Sequence, residues 1–190
     1  DNGPVLDDGY RDNAVEKLGD HRPAGPYGGG KYSVLEGGTR TPLIAHWPGR
    51  IKPGISDALV CTIDLATSLA TLAQVDLPER ACLDSLDLLD AFLGDPSAAG
   101  RDHLIQQDNG RRGNYGFRVG NWKLQRHDSR RSRNTRLRLK NRQVPRYALF
   151  DLETVPGEKH NVAADHPQVA QRMQQQLTQL IQAGRTRPTH

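Results

Sequence analysis

Six glycines fall in the fourteen residues from Gly25 to Gly38, and one lysine, Lys31, stands directly behind three of them. Glycine loses more backbone freedom on folding than any other residue, so such a run resists both helix and strand. It favours a tight loop in which the chain takes positive φ and backbone comes close to backbone or to a ligand. A lysine in that setting can deliver a compact positive charge to an anion. The same composition also suits a surface loop. The GxxxxGK[ST] spacing of a phosphate-binding loop is missing. His21 belongs to the same stretch, GDHRPAGPYGGGKY, residues 19–32.

Periodic segments surround this loop. Residues 14–18 predict a short helix stopped by Gly19. PLIAHW, residues 42–47, predicts a short buried strand closed by Pro48 and Gly49. Residues 58–61 predict another strand. Asp64 is placed to cap a helix bearing Leu65, Leu69 and Leu72, and residues 86–93 predict a second helix ended by Gly94. GDPSAAG, residues 94–100, has the composition of a boundary.

Beyond it, NYGFRVGNWKLQR (114–126) predicts a hairpin turning at Gly120 and Asn121. That turn sets Val119 against Trp122 and Phe117 against Leu124, with Arg118 and Lys123 on the opposite face. YALFDL (147–152) and residues 103–106 predict further strands. The last helix should start after Asp165 with Pro167 in its first turn, carry Val169, Met173, Leu177, Leu180 and Ile181 as one stripe, and end at Gly184.

Length and composition set bounds. The 190 residues, 35% of them hydrophobic, suffice for one domain or one and a half. No run approaches the roughly 18 apolar residues of a membrane span. Cys61 and Cys82 allow one bridge or two buried thiols, but no CxxC zinc pair. None of the seven histidines has HxxxH or HExxH spacing, and no GxSxG elbow occurs. The chain opens Asp1-Asn2-Gly3-Pro4, and its sole methionine is Met173, which predicts a piece of a longer polypeptide. Asp1 and Asn2 offer two hard oxygen ligands suited to Ca²⁺ or Mg²⁺, and are equally ordinary turn residues.

One tract stands apart. Residues 126–146, RHDSRRSRNTRLRLKNRQVPR, hold nine Lys and Arg in twenty-one positions against one Asp. Such a density attracts phosphate, sulfate or acidic polymers. It holds no aromatic residue on which bases could stack, which argues against nucleic acid. A solvated insertion between two strands is the plainer reading.

The motifs, taken in order, resemble the second half of the type I sulfatases. The matching stretches are Asp1-Asn2-Gly3, then Gly-Lys-(x)₄-Glu-Gly-Gly-Thr-Arg ending at Arg40, then PLIAHWPGRIKPG (42–54). SDALVCTIDLATSLATLAQVDLP (56–78), SLDLLDAFLG (85–94), FRVGNWKLQ (117–125) and ALFDLETVPGEKHNVAADHP (148–167) continue the likeness in register. The resemblance covers nearly the whole chain. It implies an α/β fold: residues 1–94 as the tail of an alkaline-phosphatase-like domain, and 95–190 as a small α+β subdomain. That subdomain is a short antiparallel sheet with a packed C-terminal helix and a basic insertion at 126–146.

The resemblance also implies sulfate-ester hydrolysis by a formylglycine nucleophile and a divalent cation, Ca²⁺ or Mg²⁺. Asp1 and Asn2 match the family's metal pair. Lys31 matches the lysine that contacts sulfate and Arg40 a structural arginine, and the stretch around His21 is similar to one in some bacterial sulfatases, which puts His21 among the residues expected to touch substrate. The implied substrate is a sulfated carbohydrate or aryl sulfate, the implied partner the N-terminal half of the same polypeptide, and the implied location periplasmic or secreted. The Cys/Ser-x-Pro-x-Arg motif that yields formylglycine is absent, as are the paired acidic metal ligands near the family's N-terminus. Val155 stands where the family has Asp before Pro-Gly-Glu. The chain alone is therefore expected to be inactive. The rival expectation is a non-catalytic remnant that binds sulfated polyanions or nucleic acid through 126–146.

Overall fold

The computed structural model describes residues 3–4, 12–108, 114–128 and 144–188 of the 190. The chain divides into two compact units that interleave along the sequence. The first is Asp1–Pro42 with Ile105–Gln174, and the second Leu43–Leu104 with Gln175–His190. The stretch 94–100, read from composition as a boundary, lies within the second unit.

The first unit is built on a four-stranded sheet of order β1-β2-β3-β4: β1 His103–Gln107, β2 Asn114–Val119, β3 Trp122–His127 and β4 Tyr147–Asp151. The hairpin forms as expected. β2 and β3 are antiparallel, with Val119 opposite Trp122 and Phe117 opposite Leu124, and Gly120 takes φ +56° at the turn. β4 extends the ladder antiparallel to β3 with Leu149 opposite Leu124. Phe117, Leu124 and Leu149 thus line up on one face and are almost wholly buried. Period-two alternation then puts Lys123, Gln125 and His127 on the other face, and these are buried as well. An antiparallel sheet often leaves one face to water; here the polar face is covered too.

Two short helices carry the N-terminal part, α1 Ala14–Lys17 and α2 Glu36–Thr39. The final helix, α5 Pro167–Ala183, buries Ala170, Met173 and Leu177 at the expected helical spacing. Its first helical residue is Pro167, so His166, and not Asp165, holds the capping position, with its carbonyl accepting from the Ala170 amide at 3.0 Å. At the other end the Gly184 amide closes on the Leu180 carbonyl at 3.1 Å with φ +64°.

The second unit departs more from expectation. Neither 42–47 nor 58–61 forms a strand. Leu43, Ile44 and Trp47 are 52%, 89% and 39% exposed, where a buried strand was expected. A strand exists only where a neighbour completes its ladder; Leu59 takes one backbone bond, from the Arg101 amide at 2.7 Å, which does not make a ladder, and among the described residues 42–47 pairs with no strand. Helix α3, Asp64–Leu72, starts where expected, but Asp64 makes no capping bond to it. Its carboxylate instead meets the Arg101 guanidinium, with Nε donating at 2.7 Å, and accepts from the Cys61 and Leu86 amides at 2.9 Å. A carboxylate with no exposed surface needs such a counter-ion.

Of the expected leucine stripe of α3, Leu65 and Leu72 are half-buried and Leu69 faces outward. Leu69 is 54% exposed, while Asp64 and Ser68 are the buried positions. Ser68 accepts from the Leu88 amide at 2.9 Å, just ahead of α4, Leu89–Phe92. The polar face goes inward because the backbone of 84–88 needs acceptors there. Cys61 and Cys82 are both free thiols, so no bridge forms.

Candidate active site

Lys31 sits at the tip of a tight turn within the first unit. The Ser33 amide donates to the Gly30 carbonyl at 3.1 Å, and the Ser33 hydroxyl donates to the same oxygen at 2.8 Å. Lys31 and Tyr32 are the two central residues, and Tyr32 takes φ +74°. That region is where a type II turn wants glycine, and a bulky residue there is strained. Such strain persists only where the surroundings over-determine the backbone.

Those surroundings are specific. The Lys31 amide donates to the Pro4 carbonyl at 3.0 Å. The Gly37 amide donates to the Gly28 carbonyl at 2.8 Å, folding the loop back on itself. At Gly38 a β-carbon would collide with the Gly30 and Ser33 carbonyls, so close approach, not flexibility, accounts for the Gly37-Gly38 pair.

Beneath the loop lies a buried charge cluster. The Lys123 ammonium is 2.8 Å from Glu36 Oε1 and 3.3 Å from Glu158 Oε1. Arg118 donates to Glu36 Oε2 at 3.2 Å. Glu158 accepts from the Glu36 amide at 2.6 Å through Oε2 and from Gln125 Nε2 at 2.9 Å through Oε1. Glu158 therefore holds the first amide of α2, one of the donors a helix cannot satisfy internally. Two acids and two bases balance in charge. Burial pushes the Glu158 carboxyl above the ordinary carboxylate range, against the opposing pull of Lys123, the Glu36 amide and Gln125.

The residues singled out in the sequence fall as follows. Lys31 is partly exposed, its ammonium 5.4 Å from the Tyr32 ring centre. His21 is exposed, and among the described residues no hydrogen bond, ion pair or ring contact joins it to Lys31. Arg40 stacks over the Tyr27 ring at 4.8 Å and lies 4.0 Å from Glu36. Asp1 and Asn2 lie outside the described residues, as does most of the basic tract, 129–143. The Gly3-Pro4 segment that follows Asp1 and Asn2 is held against the Lys31 loop through the Pro4 carbonyl. Among the described residues no three of His, Cys, Asp and Glu cluster as a metal site.

A cavity of about 290 Å³ in this unit is lined by Ser33, Val34, Gln125, His127 and Glu158 among others, but not by Lys31, so an anion held by that lysine would sit elsewhere. The sequence reading missed Glu36, Lys123, Gln125 and Glu158. A signal was present: Lys123, Gln125 and His127 alternate along one strand, a polar face with no aqueous side once the loop covers it.

Residues 30–183 match the family described as N-sulphoglucosamine sulphohydrolase, C-terminal. The chain belongs to this sulfatase family. It is 40% identical over 189 residues to an N-acetylgalactosamine-6-O-sulfatase of Bacteroides thetaiotaomicron, covering 98% of this chain and 35% of that protein. Human arylsulfatase A is 45% identical over 65 residues, 34% of this chain and 13% of the enzyme. A solved structure from work on glycosaminoglycan metabolism by Bacteroides thetaiotaomicron (BT33336S-sulf) superposes with a TM-score of 0.82 at 39% identity, covering 94% of this chain and 37% of that one. The mixed α/β fold is thus that of a sulfatase. The chain spans about a third of the bacterial relative it matches end to end. Glu36, Lys123 and Glu158 lie in three of the stretches that carried the sulfatase resemblance, which gives those separate motifs one shared structural purpose.

Proposed function

We propose that this sulfatase chain is the C-terminal part of a sulfate-ester hydrolase, acting on a sulfated carbohydrate or aryl sulfate. The relative that matches over nearly the whole chain is named for 6-O-sulfated N-acetylgalactosamine, which makes that sugar the first substrate to try. The observation that carries the reading is the Lys31 turn. A single cation stands at a strained, doubly hydrogen-bonded turn, with the segment that follows Asp1 and Asn2 held on its backbone.

In this reading Lys31 binds the sulfate and opposes the negative charge that grows on its oxygens as the ester bond breaks. A fixed cation lowers the barrier because no solvent need reorient to do the same work. The tight turn keeps that charge in place between turnovers. Asp1 and Asn2 would hold Ca²⁺ or Mg²⁺ through one carboxylate and one amide oxygen, a donor set that suits hard cations but supplies only two of the six to eight oxygens calcium takes. The remaining ligands, and the formylglycine, would come from elsewhere in the polypeptide. When bound, the cation would polarise the sulfate oxygens.

The test is Lys31→Ala in the complete polypeptide, assayed by sulfate release. Loss of one preorganised charge at the reacting group should lower kcat by about 10²–10³-fold. Full retention of activity would remove Lys31 from the site and this reading with it.

A further inference from the structure

The groups of the buried cluster beneath the loop are paired with one another, and through the Glu36 amide and carboxylate they are tied to the chain that carries Lys31. We infer that Glu158, acting with Lys123 and Glu36, is a positioning device for Lys31; the inference rests on Lys31 being the sulfate contact.

The loop from Gly28 to Gly38 is fastened at both ends. At one end the Gly28 carbonyl accepts from Gly37, and Gly28 packs so tightly on the Gly157 carbonyl that a β-carbon there would lie 2.5 Å from it. At the other end the Glu36 amide donates to Glu158. Gly157 and Glu158 are adjacent, so one turn of chain grips both ends of the loop. Lys123 then grips both acids from the sheet, and the Val34 carbonyl lies close against Gly116 of β2.

With its ends fixed, the loop has little room, and Tyr32 is held at a φ it would otherwise leave. Removing the Glu158 carboxylate orphans a buried amide and frees one end. The turn can then relax, and Lys31 moves with it. A displacement of about 1 Å in a charge-stabilising group is enough to cost on the order of 10²-fold in rate. The loss should fall mainly on kcat, because the transition state leans on that charge more than the bound substrate does.

A double-mutant cycle in the complete sulfatase tests this. Glu158→Ala should lower kcat by roughly 10- to 100-fold while KM changes by less than about threefold. In a Lys31→Ala background the same substitution should cost less than about twofold more, because groups that act through one another are not additive. Glu158→Gln keeps an oxygen for the Glu36 amide and should stay within about fivefold of the parent. Multiplicative losses in the cycle would overturn the positioning role and leave the Lys31 reading standing. An unaffected Lys31→Ala would overturn both. Should Glu158→Ala fail to fold, Glu158→Asp, one methylene shorter, takes its place in the cycle: non-additive losses support the clamp and multiplicative losses overturn it. Hydrogen exchange on the complete polypeptide gives an independent readout: the Glu36 amide should exchange at least about tenfold faster in Glu158→Asp than in Glu158→Gln, and equal rates would count against the clamp.

Discussion

Lys123→Met is the sharpest perturbation of the cluster. Methionine keeps the apolar stem out to the ε position and removes the ammonium, and with it the charge and the donors that meet Glu36 and Glu158. The Lys123 and Glu158 side chains are 0% exposed and that of Glu36 is 2%, so water does not replace the lost ammonium. Arg118 remains near Glu36, but Glu158 keeps only Gln125 and the Glu36 amide. Removing one member of a buried ion pair leaves an uncompensated charge and costs about 3–5 kcal/mol. With a urea dependence of about 2 kcal/mol per molar, the midpoint should fall by about 2 M. Trp122 in β3 reports on this unit, and its fluorescence is read in a Trp47→Phe background because those are the chain's two tryptophans. The double variant Lys123→Met/Glu158→Gln should recover more than half of the loss, since it removes the stranded charge. A midpoint shift below about 0.5 M for Lys123→Met, or no recovery in the double variant, would refute the electrostatic account.

Other outcomes follow from the same geometry. Asp64→Asn should destabilise the second unit by about 3 kcal/mol or more in thermal or urea unfolding, because it strands the buried Arg101 guanidinium, and Asp64→Asn/Arg101→Gln should be milder than Asp64→Asn alone. Burial holds the His127 pKa below 6.5, against the Pro145 carbonyl and the Asp108 charge, so the unfolded chain binds a proton that the folded one refuses. Stability contributed by neutral His127 is therefore complete above pH 6.5 and falls as pH drops below it, and His127→Gln should flatten that part of the stability–pH curve. Ile44 and Ile55, 89% and 98% exposed, should drive self-association of the isolated chain, and Ile44→Lys/Ile55→Lys should reduce it in sedimentation at equal concentration. Chelation of divalent cations should abolish sulfate release by the complete polypeptide, with Ca²⁺ or Mg²⁺ restoring it.

The parts legible from sequence were those whose partners lie close along the chain. The β2–β3 register followed from Gly120 and Asn121, and the α5 stripe from spacings of three and four, because both depend on neighbours within a few residues. Lys31 and the glycines stood out by composition. What could not be read was the purpose of Glu36, Lys123 and Glu158, each an ordinary charged residue until the fold removes water from around it. The failed strands show the opposite error. PLIAHW carries the right pattern, but pattern states what a segment could pair with, not whether a partner is present. Asp64 misled in a similar way: the residue type that caps helices is also the type that neutralises a buried arginine, and Arg101 lies 37 residues away.

The clamp on the Lys31 loop also sets a schedule. Glu158 follows Lys31 by 127 residues, so at about 5–20 residues per second a growing chain carries the lysine for roughly 6–25 s before the acid that fastens its loop has been made. Through that interval the turn has only its local bonds, from Lys31 to Pro4, Ser33 to Gly30 and Gly37 to Gly28, and lacks the acid that fixes its far end. The charge-bearing loop is therefore among the last parts of this unit to set, and a ribosome that stalls in the basic stretch between β3 and β4 releases a chain with its lysine present and its fastening absent.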